Sequence, residues 1–575
     1  MRTPDASLVL LQQADGSWQE LCDPAGVIAA HTPSEVLPAL RELESATRRG
    51  LFAAGFLAYE AASAFDPHLA VHPTPGRPLL WFQLGRRFSR YTPSPVPPPA
   101  PTTWTPSISA AEYHRAVDRV RAWIASGDTY QVNLTFRQYA ETPAAGDPPW
   151  LHLPLVQPQG VGAYFATADF ILASASPELF FERDDARVTC RPMKGTAPRG
   201  RWPGEDEARR TALQGSPKNR AENLMITDMV RNDLGRVARP GSVTVRDLFA
   251  AERYPTVWQL TSTVTAETGA PLVDLLSALF PSASVTGAPK VRTMQIIRDL
   301  ETTPRGVYTG AVGWLGPGER ARFNVAIRTV WQDRRSGRAE YGTGSGVVWD
   351  SSAASEFEEC RDKTRVLDWT PPAFELLETL AWRPEAGFAR REEHLDRLQA
   401  SARYFDFACD RSAVAAALEQ AASTWSSAHR VRLLLDRHGV ARVEARDLPS
   451  PPAAPARVSW ATTPVRSDDI RLYHKTTDRR IYEQARAAAL QVDDVLLWNE
   501  RDELCEATIA NLAVRIGDDW FTPPVESGLL PGVERRALLE SGRLRERVIR
   551  RAEVTRDTEF ALFNSVRGWW PARLA

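Results

Sequence analysis

Apolar and small residues alternate through VGAYFATADFILAS (161–174), and RVRLLLD (430–436) is a short apolar run. Both patterns predict strands. In KNRAENLMITDMVRNDL (218–234), PKVRTMQIIRDLE (289–301) and HLDRLQASARYF (394–405) apolar positions recur three and four residues apart, which predicts helices. Strands and helices are interspersed, so the expected class is α+β. Three proline clusters punctuate this pattern: TPSPVPPPAPTTWTP (92–106), DWTPPAF (368–374) and LPSPPAAPA (448–456). The first is expected to be an extended connector, because proline lacks the backbone donor that a ladder or helix needs. At the second the pattern resets. The predicted organisation is a unit over 1–368, with 1–105 as its N-terminal part and connector, and a second unit over 373–575, without internal repeats. A chain of 575 residues accommodates this, since domains run to roughly 100–200 residues.

Composition adds exclusions. Hydrophobic residues make up 43% and charged residues 25%, as in a soluble globular protein. The formal net charge of -1 gives no global field toward nucleic acid or an anionic membrane, so an anionic ligand must be gripped by a local site. Cys22, Cys190, Cys360, Cys409 and Cys505 are widely spaced and form no CxxC pair, which argues against a disulfide framework or a zinc cluster and fits a reducing cytoplasm. No uncharged stretch approaches the roughly 18 residues of a membrane span, and the N-terminal apolar run is too short for a signal peptide. A cytoplasmic protein is the expectation.

Candidate chemistry begins with carboxylates. On a helix Glu222 shares a face with Met225, Ile226 and Met229, where an unpaired charge is costly. It must pair with a cation or serve as a ligand. Glu356, Glu359 and Lys363 in SAASEFEECRDKTRVL fall at offsets of three and four. They read either as a solvated Glu–Lys pair, worth about 0.3–0.5 kcal/mol, or as hard oxygen ligands that join Glu222 around Mg²⁺. Gly287 and Ala288 in SVTGAPKVRTM precede a helix, and TGSGVV (343–348) reads as a second glycine-rich turn. Each can offer backbone amides to an anion, although a tight turn is the commoner reason for glycine. Arg328 in VAIRTV offers a fork for a carboxylate. Lys194 in RPMKGTAPRG is placed in a small-residue turn.

These residues carry a resemblance. GDTYQVNLT (127–135), SPELFF (176–181), RPMKGT (191–196), AENLMITDMVRNDLGRV (221–237), SVTGAPK (284–290), VYTGAVGW (307–314), FNVAIRT (323–329) and EFEECRDK (356–363) occur in the order of the chorismate-utilising enzymes. That group includes anthranilate synthase component I, aminodeoxychorismate synthase component I, isochorismate synthase and salicylate synthase. The resemblance spans about 55–368 and implies a sandwich of two antiparallel sheets flanked by helices. It also implies Glu222 and Glu359 as Mg²⁺ ligands, with Glu356 acting through a water. Gln131, Gly287, Ala288, Tyr308, Arg328, Gly344, Gly346 and Lys363 are implied around the substrate, and Glu178 as acid and base for the leaving hydroxyl.

Two positions narrow the implied reaction. Relatives that add water carry a lysine where this chain has Gln131, and a glutamine is no base. Anthranilate synthases resemble PIAGT where this chain has PMKGT, and aminodeoxychorismate synthases resemble PIKGT. A lysine amine at 194 can attack ring carbon 2 and expel the hydroxyl at carbon 4 before ammonia enters at carbon 4. Gln259 in WQLTSTV stands where many relatives have a histidine tied to aromatisation, which favours stopping at the aminodeoxychorismate stage.

FELLETL (374–380), HLDRLQASARYF (394–405), HKTTDRRIYEQA (474–485), LLWNERDELCEATIANLAV (496–514), GLLPGVERRALL (528–539) and FNSVRGWWPA (563–572) resemble the fold-type IV pyridoxal 5′-phosphate enzymes, a two-subdomain α/β unit. These include branched-chain aminotransferase, D-amino acid aminotransferase and aminodeoxychorismate lyase. The resemblance implies Lys475 as the lysine that carries the cofactor and Glu506 as the acid at its ring nitrogen. Arg397, the amides of Val533 and Glu534, and Ser565 are implied around its phosphate; Glu534 departs from the usual threonine or serine. Together the two resemblances imply a fused aminodeoxychorismate synthase component I and aminodeoxychorismate lyase. Without a GxCxG nucleophile setting, ammonia is expected from a separate glutamine amidotransferase subunit. A homodimer through the second unit stays open, as does the alternative of an anthranilate synthase fused to a branched-chain or D-amino acid aminotransferase.

Overall fold

The computed structural model describes residues 7–93, 102–141, 150–155, 161–367, 373–450, 455–489 and 491–575. Most of the first two proline clusters, and 451–454 of the third, lie outside them. The chain forms two compact units: Met1–Pro198 with Arg210–Pro371, and Pro372–Ala575 with the short excursion Arg199–Arg209. A division by contiguous sequence alone does not show that excursion. Among the described residues no helix is long and apolar enough to cross a membrane.

Among the described residues of the first unit, eighteen antiparallel strands make one continuous hydrogen-bonded ribbon. Its first half runs from Thr244–Arg253 through Val257–Glu267, Arg187–Arg191, Leu179–Asp184, Arg320–Val325, Ala311–Gly316, Phe52–Leu57 and Leu80–Tyr91 to Trp18–Ala30. From there Leu8–Gln12 leads into Val161–Ala166, Phe170–Ser176, Thr329–Asp333, Arg338–Val347 and Gln131–Glu141. The halves pack face to face: Phe56 of the first meets Phe170 and Trp331 of the second, with ring centroids 5.8 and 5.6 Å apart. Each inward face is apolar and buries a shared core, the arrangement expected of stacked antiparallel layers.

The predicted helices form at Pro217–Gly235, Lys290–Leu300, Ala353–Asp362 and Arg391–Phe405. Ser216 caps the first of them by accepting the Asn219 amide, and Pro217 sits at its first turn, where no donor is needed. Three turn assignments are corrected. TGSGVV is not a turn: Gly344 and Gly346 lie within the strand Arg338–Val347, opposite Thr135 and Asn133. Glycine is required there by crowding, since a Cβ on Gly344 would lie 2.5 Å from the Leu134 carbonyl. Lys194 is also in a strand, Met193–Pro198, whose pairing with Val257–Glu267 slips between Met193 and Thr196. Gly195, at φ +96°, supplies the left-handed residue of that bulge. Gly287 and Ala288 form a two-residue strand against Val132 and Gln131 rather than a free turn.

The second unit has a four-stranded antiparallel sheet, in which Leu376–Arg383 and His429–Leu435 are central, and a mixed eight-stranded sheet. Arg391–Phe405 lays Leu395, Leu398 and Ala402 on the smaller sheet.

Candidate active sites

The two ends of the long ribbon meet at Lys194. Met193–Pro198 belongs to one end and Gln131–Glu141, with its neighbour Arg338–Val347, to the other. A Cβ on Gly346 would lie 2.1 Å from Lys194 Nζ and 3.4 Å from Gln131 Nε2. The buried Asn223 of the helix Pro217–Gly235 fixes the bulge: its Nδ2 donates to the Lys194 carbonyl at 3.3 Å and to that of Leu260 at 3.2 Å. Its Oδ1 accepts from Ser262 Oγ at 2.6 Å. The bulge therefore aims one amine at the centre of the cluster.

Around that amine are acids. Glu178 is buried, and burial pushes its carboxyl up to about 7, against the opposing pull of the Ser284 hydroxyl and Lys194. It therefore holds a proton up to neutral pH. Glu222 is also raised, by burial and by the charges of Glu356 and Glu359, while Lys194 and Lys218 pull the other way. Glu359 pairs with Lys363 at 2.8 Å. Burial raises its carboxyl, but Lys363, Lys194 and Lys218 together outweigh burial and leave it below the ordinary range. Lys363 Nζ also donates to the Gly344 carbonyl at 2.8 Å. Among the described residues no three acids, histidines or cysteines converge at coordinating geometry. Glu222, Glu356 and Glu359 are nonetheless mutually repelling carboxylates, and a Mg²⁺ that takes one or two carboxylates plus substrate oxygens would relieve that repulsion.

Other groups are unpartnered. Gln131 is fully buried, and neither side-chain amide atom has a hydrogen-bond partner among the described residues. A buried amide in that condition costs about 1–3 kcal/mol unless a ligand meets it. Arg328, with φ at +49°, has no carboxylate partner among the described residues and faces Tyr254 at 5.8 Å. Burial pushes its guanidinium downward. Tyr308 is buried beneath Arg137, whose guanidinium carbon lies 4.8 Å from the ring centroid. A network with no sequence signal carries the Tyr308 loop: Glu60 accepts the Arg305 and Gly306 amides at 2.7 and 3.0 Å, and Glu301 is forked by Arg305. Glu60 is 245 residues from Arg305 in the chain, so only folding joins them.

Gly346→Ala tests this geometry separately from the chemistry. The new methyl must displace Lys194 Nζ, a flexible end, so the thermal midpoint should stay near that of the wild type. Displacement of about 1 Å should lower kcat by about 10²-fold. Calorimetry together with steady-state turnover measures both, and an unchanged kcat would count against a working amine at this spot.

The second unit encloses a cavity of about 330 Å³ lined by Arg397, Lys475, Glu506, Val533, Glu534 and Ser565 among others. All six sequence-expected residues thus converge. Lys475 is anchored through its carbonyl, which accepts the Leu377 amide at 2.9 Å. Burial, then the Arg397 and Arg479 charges, lower its amine to about 8. The adjacent His474 is buried and held at both nitrogens, by Ser401 Oγ at 3.0 Å and by the Arg201 carbonyl at 3.1 Å. Burial brings its ring down to about 3, so it stays neutral. Arg201 belongs to the Arg199–Arg209 excursion, which Trp202 seats by stacking on Tyr473 at 5.1 Å.

Glu506 accepts from Tyr482 at 2.8 Å and Asn511 at 3.2 Å, and burial raises it to about 7. Glu534 is neutralised by Arg390 at 2.8 Å, which fits its departure from the expected hydroxyl residue. Arg397 is committed on one edge to Glu378, at 2.9 and 2.6 Å. Glu378 and His394 were overlooked in the sequence; the available signal was His394 at offset three from Arg397 on one helical face. A buried amine opposite a buried acid, with arginine, hydroxyl and helix-start amides at one end, fits pyridoxal 5′-phosphate.

The chorismate binding enzyme family matches residues 8–368, and amino-transferase class IV matches residues 375–575. Aminodeoxychorismate synthase component 1 of Bacillus subtilis (strain 168) is 42% identical over 249 residues, 43% of this chain and 53% of that protein. Anthranilate synthase component 1 1 of Haloarcula marismortui is 39% identical over 291 residues, 49% of this chain and 59% of that protein. The chain thus spans between half and three-fifths of the length of these relatives. The crystal structure of anthranilate synthase component I from Streptococcus pneumoniae TIGR4, 24% identical, covers 64% of this chain and 93% of that one at a TM-score of 0.54, which shows a shared fold. The ribbon with Lys194 and Glu178 and the cavity with Lys475 are accordingly parts of one chain that belongs to the chorismate binding enzyme family and carries an amino-transferase class IV domain behind it.

Proposed function

We propose that the first unit converts chorismate and ammonia to 4-amino-4-deoxychorismate and that the second eliminates pyruvate from it, giving p-aminobenzoate for folate synthesis. The observation that carries this reading is Lys194 Nζ packed on Gly346 beside Gln131, with Glu178 in its field. Arg328 is a ready fork for a substrate carboxylate. Lys194 Nζ bonds to ring carbon 2, the ring electrons shift, and the carbon 4 hydroxyl leaves as water with the proton of Glu178. Ammonia then bonds at carbon 4, the carbon 2 to Nζ bond breaks and restores the neutral lysine amine, and the extra proton on the new nitrogen returns to the Glu178 carboxylate. Gln131, which cannot deprotonate water, offers an amide oxygen to the incoming N–H. Bound Mg²⁺, held by Glu222 and Glu359 with Glu356 behind a water, supplies Lewis acidity and orientation.

Bound pyridoxal 5′-phosphate supplies an electron sink. Lys475, Glu506 and the Arg397–Ser565 end of the cavity hold it. Lys475 Nζ takes the proton from ring carbon 4, and the departing enolpyruvyl group leaves an aromatic amine. Supporting the lyase over a transaminase, the first unit would make the compound that a lyase consumes. The relatives named component 1 support a separate glutamine amidotransferase subunit as ammonia donor. Incubation with chorismate, Mg²⁺ and ammonium, followed by identification of the aromatic amine, tests the reading: p-aminobenzoate is expected, and anthranilate would favour the alternative.

Glu178 makes a pH prediction. Its carboxyl rises from an ordinary 4.5 to about 7 in the fold, so the acid form is present below about 7 and is lost as pH rises through it. At fixed free ammonia, synthase turnover should fall above pH 7. Glu178→Gln should lower turnover by about 10²–10⁴-fold, the range of general acid catalysis. A profile flat from pH 6 to 8 would remove Glu178 from that role.

A further inference from the structure

Glu378, His394 and Ser565 form a hydrogen-bonded line into the cavity of the second unit. His394 Nδ1 lies 2.7 Å from Glu378 Oε2, and His394 Nε2 lies 2.9 Å from Ser565 Oγ. Both His394 and Glu378 are buried, whereas Ser565 lines the cavity beside Arg397. Arg397 forks Glu378, and burial notwithstanding, the guanidinium holds that carboxyl down to about 2. Glu378 can therefore only accept, which fixes a proton on His394 Nδ1.

The consequence lies at Nε2. In the neutral ring Nε2 accepts, so the single proton of Ser565 points at His394 and the hydroxyl shows only lone pairs to the cavity. Those lone pairs repel an anion. In the doubly protonated ring Nε2–H donates to Ser565 Oγ, and the hydroxyl proton is released toward the cavity. Charge points the same way: Glu378 offsets much of the Arg397 charge, so a proton on His394 would add a cation at the Ser565 end of a cavity whose other cations are Arg430, Arg432, Arg479, Arg567 and Lys475.

We propose that His394 is a proton-linked positioning residue, which takes a proton from the buffer when a phosphate ester binds and thereby turns Ser565 from acceptor into donor. This rests on the reading that the cavity holds the phosphate of pyridoxal 5′-phosphate. Other charged groups in and around the cavity are the Arg390–Glu534 pair, Arg430, Arg432, Arg479, Arg567, Lys475 and Glu506. Of these Lys475 near 8 and Glu506 near 7 can also exchange protons on loading, so the linkage is read as a difference between variants.

The test is calorimetric titration of the full chain, freed of cofactor, with pyridoxine 5′-phosphate, which lacks the aldehyde and cannot condense with Lys475. Buffers of different ionisation enthalpy give the protons taken up, at pH 8, where the free ester is already dianionic. The wild type should take up more protons than His394→Gln, by up to one, and its affinity should fall by up to tenfold per pH unit beyond that of the variant. Ser565→Ala, which keeps the buried ring and its Glu378 bond, should flatten the same pH slope even if His394→Gln fails to fold. Equal uptake and equal slopes in wild type and Ser565→Ala would overturn the proposal. Failure of pyridoxine 5′-phosphate to bind the wild type at all would instead overturn the cofactor reading beneath it.

Discussion

Lys194→Ala should lower formation of the 4-amino product by about 10³-fold or more, the scale on which loss of a nucleophile acts. Residual amination should move to ring carbon 2, because without the amine that carbon is left open to ammonia. Loss of charge contributes separately. Lys194 holds down the carboxyls of Glu178, Glu222 and Glu359, so alanine should also let them rise. Lys194→Arg keeps the cation but offers no neutral amine at working pH. If the lysine acts by bonding, both variants should lose the 4-amino product. If it acts only as a charge, arginine should rescue much of it. Chromatographic separation of p-aminobenzoate from anthranilate distinguishes these outcomes.

Lys475→Ala should abolish pyruvate release and the visible absorption band of the loaded protein, while 4-amino-4-deoxychorismate accumulates. Burial and the charges of Arg397 and Arg479 lower the amine to about 8, so far more of it is neutral at working pH than of an ordinary lysine. No other lysine lines the cavity among the described residues. An unchanged band, or unchanged p-aminobenzoate output, would show that the second unit serves as a scaffold rather than as the eliminating site.

The helices were legible because their periods are long and strong. Pro217–Gly235 and Arg391–Phe405 match their predicted spans to within a few residues. Lys194 was legible as a residue but not as geometry: its bulge depends on pairing with Val257–Glu267, about sixty-five residues on. TGSGVV was misread because glycine commonly marks turns, whereas here it admits Lys194 Nζ and the Leu134 carbonyl at a strand crossing. Glu378 is followed by Thr379 in FELLETL and, as a charged residue beside a polar one, looks like a solvent-facing strand position. Its burial is tolerable only because His394 and Arg397, sixteen and nineteen residues later, turn toward it. The Arg199–Arg209 excursion could not be read at all, since nothing in RGRWPGEDEAR marks the chain as joining the second unit.

The central claim is that one chain places nitrogen at ring carbon 4 and then releases pyruvate. Its most direct measurement is the product formed from chorismate, Mg²⁺, pyridoxal 5′-phosphate and ¹⁵N-ammonium by the wild-type full chain. ¹⁵N-labelled p-aminobenzoate with an equal amount of pyruvate is the expected product. Labelled anthranilate as the main product would contradict it.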